Sequence, residues 1–202
     1  MIWTGNETAF IACLLLSLFA GLLIGMALKC ILKLESIPKT ACIGVAGTAV
    51  FLCIHGLTEV TLMCAMVFQI LLFASAYDIK THTVPDYVHI LIMSAGLLRF
   101  QPLPALLGFI LVPLPFFIAA LHKENSIGGG DVKLMAACGF ALGAWGGILQ
   151  TIIGLSLAVL YAFIRARAMG KREWRKETVP LVPFLGAGGV LSYLLTVIGG
   201  SI

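Results

Sequence analysis

The stretch that decides the fold of this chain spans residues 58–78 and reads TEVTLMCAMVFQILLFASAYD. Residues 58–77 are largely apolar, and about 20 such residues are enough for a helix to cross the hydrocarbon core of a bilayer. The stretch ends in Asp78, and Ser75 and Tyr77 are the only polar residues among the eight that precede it. Because an ionisable side chain is costly in such a segment, Asp78 is a candidate functional residue.

The composition extends the membrane interpretation to the whole chain. Of the 202 residues, 60% are hydrophobic and 11% are charged, whereas about 25% of the residues of a soluble domain are charged. The exterior of the fold therefore has to face lipid, and its spanning segments have to satisfy their own backbone hydrogen bonds as helices. We predict an all-α integral membrane protein with a single transmembrane domain over residues 1–202.

Apolar runs separated by short polar breaks predict about eight transmembrane helices. They lie near residues 8–28, 41–56, 58–77, 87–99, 103–121, 131–144, 146–165 and 180–199. With eight spans, alternate loops fall on the same side of the membrane. All 13 Lys and Arg residues except Arg99 then collect on one side, which the positive-inside rule makes cytoplasmic. Both termini are then expected to face outward.

The same charge asymmetry accounts for the net charge of +4. The longest polar break, residues 165–177, is strongly basic and is typical of a segment that lies near anionic lipid. We therefore expect the lipid bilayer as a partner, and no nucleic acid.

Three of the nine acidic residues stand apart from the ordinary loop charges: Asp78, Asp86 and Asp131. Asp131 directly follows Gly128-Gly129-Gly130 and opens the sixth predicted span, so it is expected at the same cytoplasmic edge as Asp78. The glycines add no side-chain bulk, so another chain can approach the carboxylate closely. Pro85 enforces a break before the fourth span.

A pair of carboxylates at one membrane edge suggests hydrolytic chemistry. Two neighbouring carboxylates cannot both ionise cheaply, so one of them holds a proton. One member can then activate water while the other protonates the leaving group, as hydrolysis of a peptide bond requires. Asp131, at a helix N-terminus, should be the more acidic member, and Asp78, at a helix C-terminus, should tend to hold the proton.

Each aspartate also has an ordinary structural interpretation. Asp131 after glycines is a common N-cap, and Asp78 could reach water from the end of its helix. These interpretations do not explain the two local patterns together.

The chain resembles the type IV prepilin peptidase family in three motifs that occur in the same order. They are Asp78-Ile-Lys80 with Pro85-Asp86, the GxGD-like Gly128-Gly129-Gly130-Asp131-Val-Lys133, and the late Pro180-Leu-Val-Pro183-Phe. The resemblance covers about Ala41 to the end and implies eight helices. It implies that Asp78 and Asp131 are the catalytic aspartates and that Gly128 and Gly130 are the glycines of the signature. Asp86 matches a supporting position, and we expect it to cap the fourth helix.

The same resemblance implies a substrate and a cellular location. The substrate is the short basic leader of prepilin-like or pseudopilin-like proteins, which is cut at the cytoplasmic face of the inner membrane. Lys80 and Lys133 are expected at the membrane interface, where they can steer this substrate. No metal and no organic cofactor is implied. Larger members carry a zinc-binding insert with two CxxC pairs, which is associated with N-methylation. Here residues 29–40 contain only Cys30, so the chain resembles a short form without methyltransferase activity.

Other interpretations stay open. Presenilin-like proteases also pair a Tyr-Asp with a GxGD, which Tyr77 and Asp78 fit, but they are larger and usually cut within transmembrane helices. A small transporter could use an acidic pair to relay protons, although the chain shows no matched halves with broken helices. A scaffold without catalysis is also compatible with the sequence. The particular prepilin, the cleavage-site preference and the oligomeric state are not encoded in these motifs.

Overall fold

The computed structural model describes residues 7–32, 37–122, 128–168 and 179–198, and these residues form helices with no strand among them. The helices are α1 (Glu7–Leu32), α2 (Ile37–His55), α3 (Glu59–Thr81), α4 (Asp86–Gly96), α5 (Pro102–Leu111), α6 (Leu114–His122), α7 (Gly129–Ala168) and α8 (Val182–Ile198). A short 3₁₀ turn (Leu97–Arg99) follows α4. The all-helical prediction is confirmed for this part of the chain. The termini and most of the basic segment at 165–177 lie outside the described residues.

Local sequence sets both ends of α3. The side-chain oxygen of Thr58 caps its start by accepting a hydrogen bond at 3.2 Å from the amide three residues later. Its end is closed by His82, which has φ 51° and donates from its amide to the Asp78 carbonyl at 2.8 Å. Pro85 occupies the N-cap of α4. Its fixed φ and missing amide hydrogen are tolerated there, because an amide at the start of a helix has no acceptor within the helix. This tight connection keeps the end of α3 and the start of α4 together.

The helices pack around α3 and α7. α3 contacts α1, α2, α4 and α8, while α7 contacts α4, α5, α6 and α8. The core between them is apolar and includes the fully buried side chains of Ile92, Leu134 and Leu185. Large apolar side chains also cover the outside, for example Leu16 and Val159, as expected where lipid is the solvent.

α7 is helical on both sides of Gly143, but the chain reverses there. Gly143 has φ 72° and ψ 175°, a backbone conformation that favours glycine. Gly139 and Gly147 meet across the reversal, since a Cβ on Gly147 would lie 3.1 Å from the Gly139 Cα. In a straight helix these residues would be about 12 Å apart. α7 therefore consists of a first arm (residues 129–142) and an antiparallel second arm (residues 144–168), which confirms the predicted break between the sixth and seventh segments.

Small and polar residues let the helices pack closely. Gly108 of α5 faces Gly139 of the first arm, and a Cβ on either residue would overlap the backbone of the other. Between α1 and α3, Gln69 Nε2 donates to the Ser17 hydroxyl at 2.8 Å, and Ser17 donates to Thr48 of α2 at 2.9 Å. Both arrangements are typical of helix packing in lipid, where apolar burial gives helices little reason to associate.

Three helical segments among the described residues are long and apolar enough to cross a membrane: Glu59–Thr81, Pro102–His122 and Gly129–Ala168. The second contains α5 and α6 with a turn between them, and the third is the reversing α7. Cys42–Ile54 and Val182–Thr196 form shorter apolar helices. The membrane class is supported, while the number of eight crossings stays a prediction.

Candidate active site

Four helix ends meet at one end of the bundle: the C-terminus of α3 and the N-termini of α4, α7 and α8. Side chains from the ends of α3 and α4 make the connections. Asp78 of α3 binds the first residue of α8, while His89 and Asp86 of α4 bind the first two turns of α7. Residues that the sequence analysis selected from separate stretches are therefore brought to one place.

Asp78 is held against the start of α8. It is only 5% exposed, and its Oδ2 accepts a hydrogen bond from the Val182 amide at 3.1 Å. Amides at a helix start have no partner within the helix and carry partial positive charge. The predicted motif with Pro180 and Pro183 thus brackets the amide that donates to Asp78.

This contact corrects the argument from helix dipoles. Asp78 ends α3, but it also faces the N-terminus of α8, where the dipole favours a negative charge. The sequence analysis considered only the helix that carries Asp78. Both aspartates therefore lie at the N-terminus of a helix, and the helix dipoles do not distinguish between them.

Asp131 is the third residue of α7, and Gly128 precedes the helix. The Asp131 amide donates to the Gly128 carbonyl at 3.0 Å, and the Gly128 amide lies near the Asp131 carboxyl group. The same carboxyl group is half-buried and lies within electrostatic range of Asp78. Asp131 is therefore placed both at the start of α7 and near the second carboxylate.

The three glycines before Asp131 leave open space beside it. None of them has a positive φ, so their backbone does not require glycine. A Cβ on Gly129 would meet no atom of the described residues within 4 Å, and one on Gly128 would lie 3.4 Å from Asp131 Oδ2. A Cβ on Gly130 would touch Val84 at 3.5 Å. The lack of a side chain at 128 thus leaves one side of the carboxylate uncovered, and position 129 borders on space that the described residues leave open.

Asp86 forms an ion pair instead of capping its helix. Pro85 is the N-cap of α4 and makes no side-chain capping bond, so the expectation that Asp86 caps this helix is wrong. Lys133 Nζ lies 2.9 Å from Asp86 Oδ1, and both side chains are well exposed. The hydrogen bond and the charge of Lys133 lower the pKa of the Asp86 carboxyl from its usual value. Lys80, in the last turn of α3, is exposed near the same end of the bundle.

Sequence reasoning missed two contributors to this site: His89 and the amide of Val182. Backbone amides carry no signal of their own in a sequence. His89 follows Asp86 by three residues and therefore lies on the same face of α4. This spacing was the feature of the sequence that could have indicated His89 as part of the site. Its Nε2 lies 3.1 Å from the Gly130 carbonyl oxygen.

A cavity of about 230 Å³ lies away from the aspartates. Its lining includes Val60 at the start of α3, Arg99, the Gly143 reversal and Tyr193, which belong to the opposite end of the bundle. Within the ranges that the structure describes, no three His, Cys, Asp or Glu side chains are grouped so that they could hold a metal ion. The candidate chemistry is thus concentrated at the aspartate end.

The fold is a helical bundle with membrane-spanning segments, and it places two carboxylates near one another at one end. A membrane protein of this class is suited to acid–base chemistry. The family model described as the type IV leader peptidase family matches residues 65–164. This segment contains both Asp78 and Asp131. The chain belongs to this family, which confirms the resemblance seen in its motifs.

Curated relatives agree with this assignment. A prepilin leader peptidase/N-methyltransferase from Burkholderia pseudomallei (strain 1026b) is 31% identical over 130 residues, which cover 59% of this chain and 41% of that protein. Proteins of the same name are 28% identical over 137 residues in Bacillus subtilis (strain 168), covering 64% of this chain and 54% of that protein, and 27% identical over 152 residues in Dickeya chrysanthemi, covering 66% and 50%. The chain thus spans about half the length of these relatives. No solved structure matches the chain significantly.

Proposed function

We propose that this chain is a membrane aspartic endopeptidase that cleaves the leader of prepilin-like or pseudopilin-like proteins, with Asp78 and Asp131 as its catalytic pair. The observation that supports it most is the meeting of these two carboxyl groups, from different helices, within electrostatic range of one another. Both lie within the segment that matches the leader peptidase family, and the relatives named above are prepilin leader peptidases.

The proposed reaction uses the two carboxyl groups in different protonation states. The ionised member takes a proton from a water molecule, whose oxygen attacks the carbonyl carbon of the scissile peptide bond. The protonated member supplies the proton that the departing nitrogen needs. The start of α8 holds Asp78 in place, and the open glycine edge beside Asp131 leaves room for the backbone of an extended leader. Gly128, Gly129 and Gly130 thus belong to the proposed substrate-binding loop.

We further propose that the chain is a single domain over residues 1–202 that crosses the inner membrane eight times, with the aspartates at the cytoplasmic face and both termini outside. The positions of the basic residues support this orientation. Tyr161 of the second arm contacts Phe184 at the start of α8, with ring centroids 5.2 Å apart. Arg165 and Arg167 follow Tyr161 and therefore lie toward the aspartate end, whereas Arg99 lines the cavity at the opposite end.

N-methyltransferase activity is not part of the proposed function, although the names of the relatives include it. The six cysteines of this chain form no CxxC pair anywhere in the sequence. The zinc-binding insert that the resemblance associates with methylation therefore has no counterpart here. Neither a metal nor an organic cofactor enters the proposed reaction.

The decisive experiment is cleavage of a co-expressed prepilin-type substrate from the same genome. We expect the wild type to remove the leader, and Asp78→Asn and Asp131→Asn each to lower the rate by about 10²–10⁴-fold, the usual contribution of an acid–base group. Glu59→Gln is the matched control, because it removes an exposed carboxylate from the other end of α3. This control should cleave at the wild-type rate.

Other outcomes would point to the competing interpretations. Equal cleavage by both aspartate variants and the wild type would exclude the proposed pair. Products cut within the hydrophobic helix of the substrate would favour a presenilin-like protease. Proton-coupled uptake without any cleavage would favour a transporter.

A further inference from the structure

His89 is buried at the junction of α4 and α7, next to the candidate active site. The residue is 7% exposed, and its two ring nitrogens face different acceptors. Nε2 lies 3.1 Å from the Gly130 carbonyl oxygen, and Nδ1 lies 3.7 Å from Asp86 Oδ1. The proposed chemistry uses neither His89 nor this carbonyl group.

The contact with Gly130 fixes the position of one ring proton. A carbonyl oxygen can only accept a hydrogen bond, so Nε2 carries the hydrogen and donates it. Such a buried ring is held in one orientation by the hydrogen bonds that it makes.

The acceptor of this bond belongs to the peptide unit that directly precedes the Asp131 Cα. The carbonyl side of this unit is held by His89, and its amide side, the Asp131 N–H, donates to the Gly128 carbonyl at 3.0 Å. Because a peptide unit is planar and rigid, two bonds on opposite sides fix its orientation. The direction in which Asp131 projects its side chain follows from that orientation.

Within the part of the chain that the structure describes, few other contacts restrain this turn. Residues 128–130 have no side chains to pack, and a Cβ on Gly129 would meet none of the described atoms within 4 Å. A second link lies one turn further along, where Asp86 binds Lys133 at 2.9 Å. This second link is well exposed at both partners, so solvent weakens it. The buried bond from His89 is thus the better placed of the two to hold the turn.

We infer that His89 is a positioning residue that orients the Asp131 carboxyl group through the Gly130 carbonyl. This inference rests on the proposed function, because it assigns to Asp131 a part in cleavage. A peptide unit that is free to rotate would move the carboxyl away from the scissile bond, and small misplacements of a catalytic group lower the rate strongly. The role predicts an effect on kcat with little effect on KM, since His89 is buried and lies outside the proposed substrate-binding loop.

The test compares three variants in a cleavage assay with purified protein and a synthetic leader peptide. His89→Leu removes the donor and should lower kcat about tenfold, the usual consequence of losing one buried hydrogen bond, with KM changed less than about twofold. His89→Gln keeps an N–H donor near the position of Nε2 and should restore most of the rate. Ile92→Ala is the matched control, because Ile92 is fully buried one turn later on α4 and its side chain has no hydrogen-bond donor.

The control separates positioning from general stability. Ile92→Ala should lower the thermal unfolding midpoint at least as much as His89→Leu while leaving kcat near the wild-type value. Equal kcat for His89→Leu and the wild type would overturn the inference. So would a loss of kcat in all three variants that follows their loss of stability.

A second measurement does not depend on cleavage. In protein labelled with ¹⁵N-histidine, we expect the His89 resonance, assigned by its loss in His89→Gln, to report a hydrogen on Nε2. A ring with its hydrogen on Nδ1 alone would overturn the inference even if cleavage is normal. If the wild type cleaves no leader but Nε2 carries the hydrogen, the proposed function fails while the contact between His89 and Gly130 stands.

Discussion

The contact between Gly108 and Gly139 makes a quantitative prediction for Gly139→Ala. The new Cβ would lie 2.7 Å from the Gly108 carbonyl carbon and 2.9 Å from the Val112 Cβ. The Gly108 carbonyl oxygen would lie closer still. Carbon atoms pack at about 3.5 Å or more, so α5 and the first arm have to separate by at least about 0.8 Å. The atoms in the way belong to a helix backbone and a Cβ, which cannot turn aside as the tip of a long side chain can. Such overpacking costs about 1–3 kcal/mol.

Reversible unfolding in detergent micelles, followed by circular dichroism, measures this cost. Gly129→Ala is the matched control, because it lies in the same helix and its Cβ would meet no atom within 4 Å among the residues that the structure describes. We expect the free energy of unfolding to fall by about 1–3 kcal/mol for Gly139→Ala and to change by less than about 0.5 kcal/mol for Gly129→Ala. Equal stability of the two variants would show that α5 does not pack closely against the first arm, and would refute the reasoning.

Three further predictions follow from the site and its surroundings. Gly129→Ala should leave folding unchanged but lower the cleavage rate at least severalfold if the backbone of the substrate binds along the glycine edge beside Asp131. An unchanged cleavage rate would argue against binding of the substrate along this edge. The Lys133 ion pair lowers the pKa of the Asp86 carboxyl in the folded state. The stabilisation by this ion pair is therefore present above the pKa of Asp86 in the unfolded chain, about 4, and is lost as the pH falls through the lower pKa of the folded state. The difference in unfolding midpoint between the wild type and Asp86→Asn should therefore shrink below about pH 4, and a difference that grows there would contradict the ion pair. Gln150 is fully buried and donates from Nε2 to the Leu185 carbonyl at 3.1 Å. Gln150→Leu should therefore lower the free energy of unfolding by about 0.5–1 kcal/mol. An unchanged free energy of unfolding would contradict that bond.

The corrections at the site share one cause. The sequence analysis assigned Asp86 to a helix cap and judged Asp78 by the dipole of its own helix. In the structure, Asp86 binds Lys133, and Asp78 binds the start of α8. Both predictions used only neighbours in the chain, and both were altered by residues on another helix.

The sequence by itself determined the membrane class, the approximate helices and the two candidate aspartates. Hydropathy, the positions of basic residues and breakers such as Pro85 are properties of short stretches, so they can be read without knowing how the helices pack. Gly143 belongs to this group as well, because a break was expected next to it from the apolar pattern alone.

Only the tertiary structure decided how the aspartates are held. The bonds from Val182 to Asp78, from His89 to Gly130 and from Lys133 to Asp86 join residues 104, 41 and 47 positions apart. Such bonds depend on which helix ends meet, and that depends on close contacts such as the one between Gly108 and Gly139. In lipid, steric fit and a few polar contacts decide which helices pack together, and hydropathy, which marks each helix as apolar, does not distinguish among its possible neighbours.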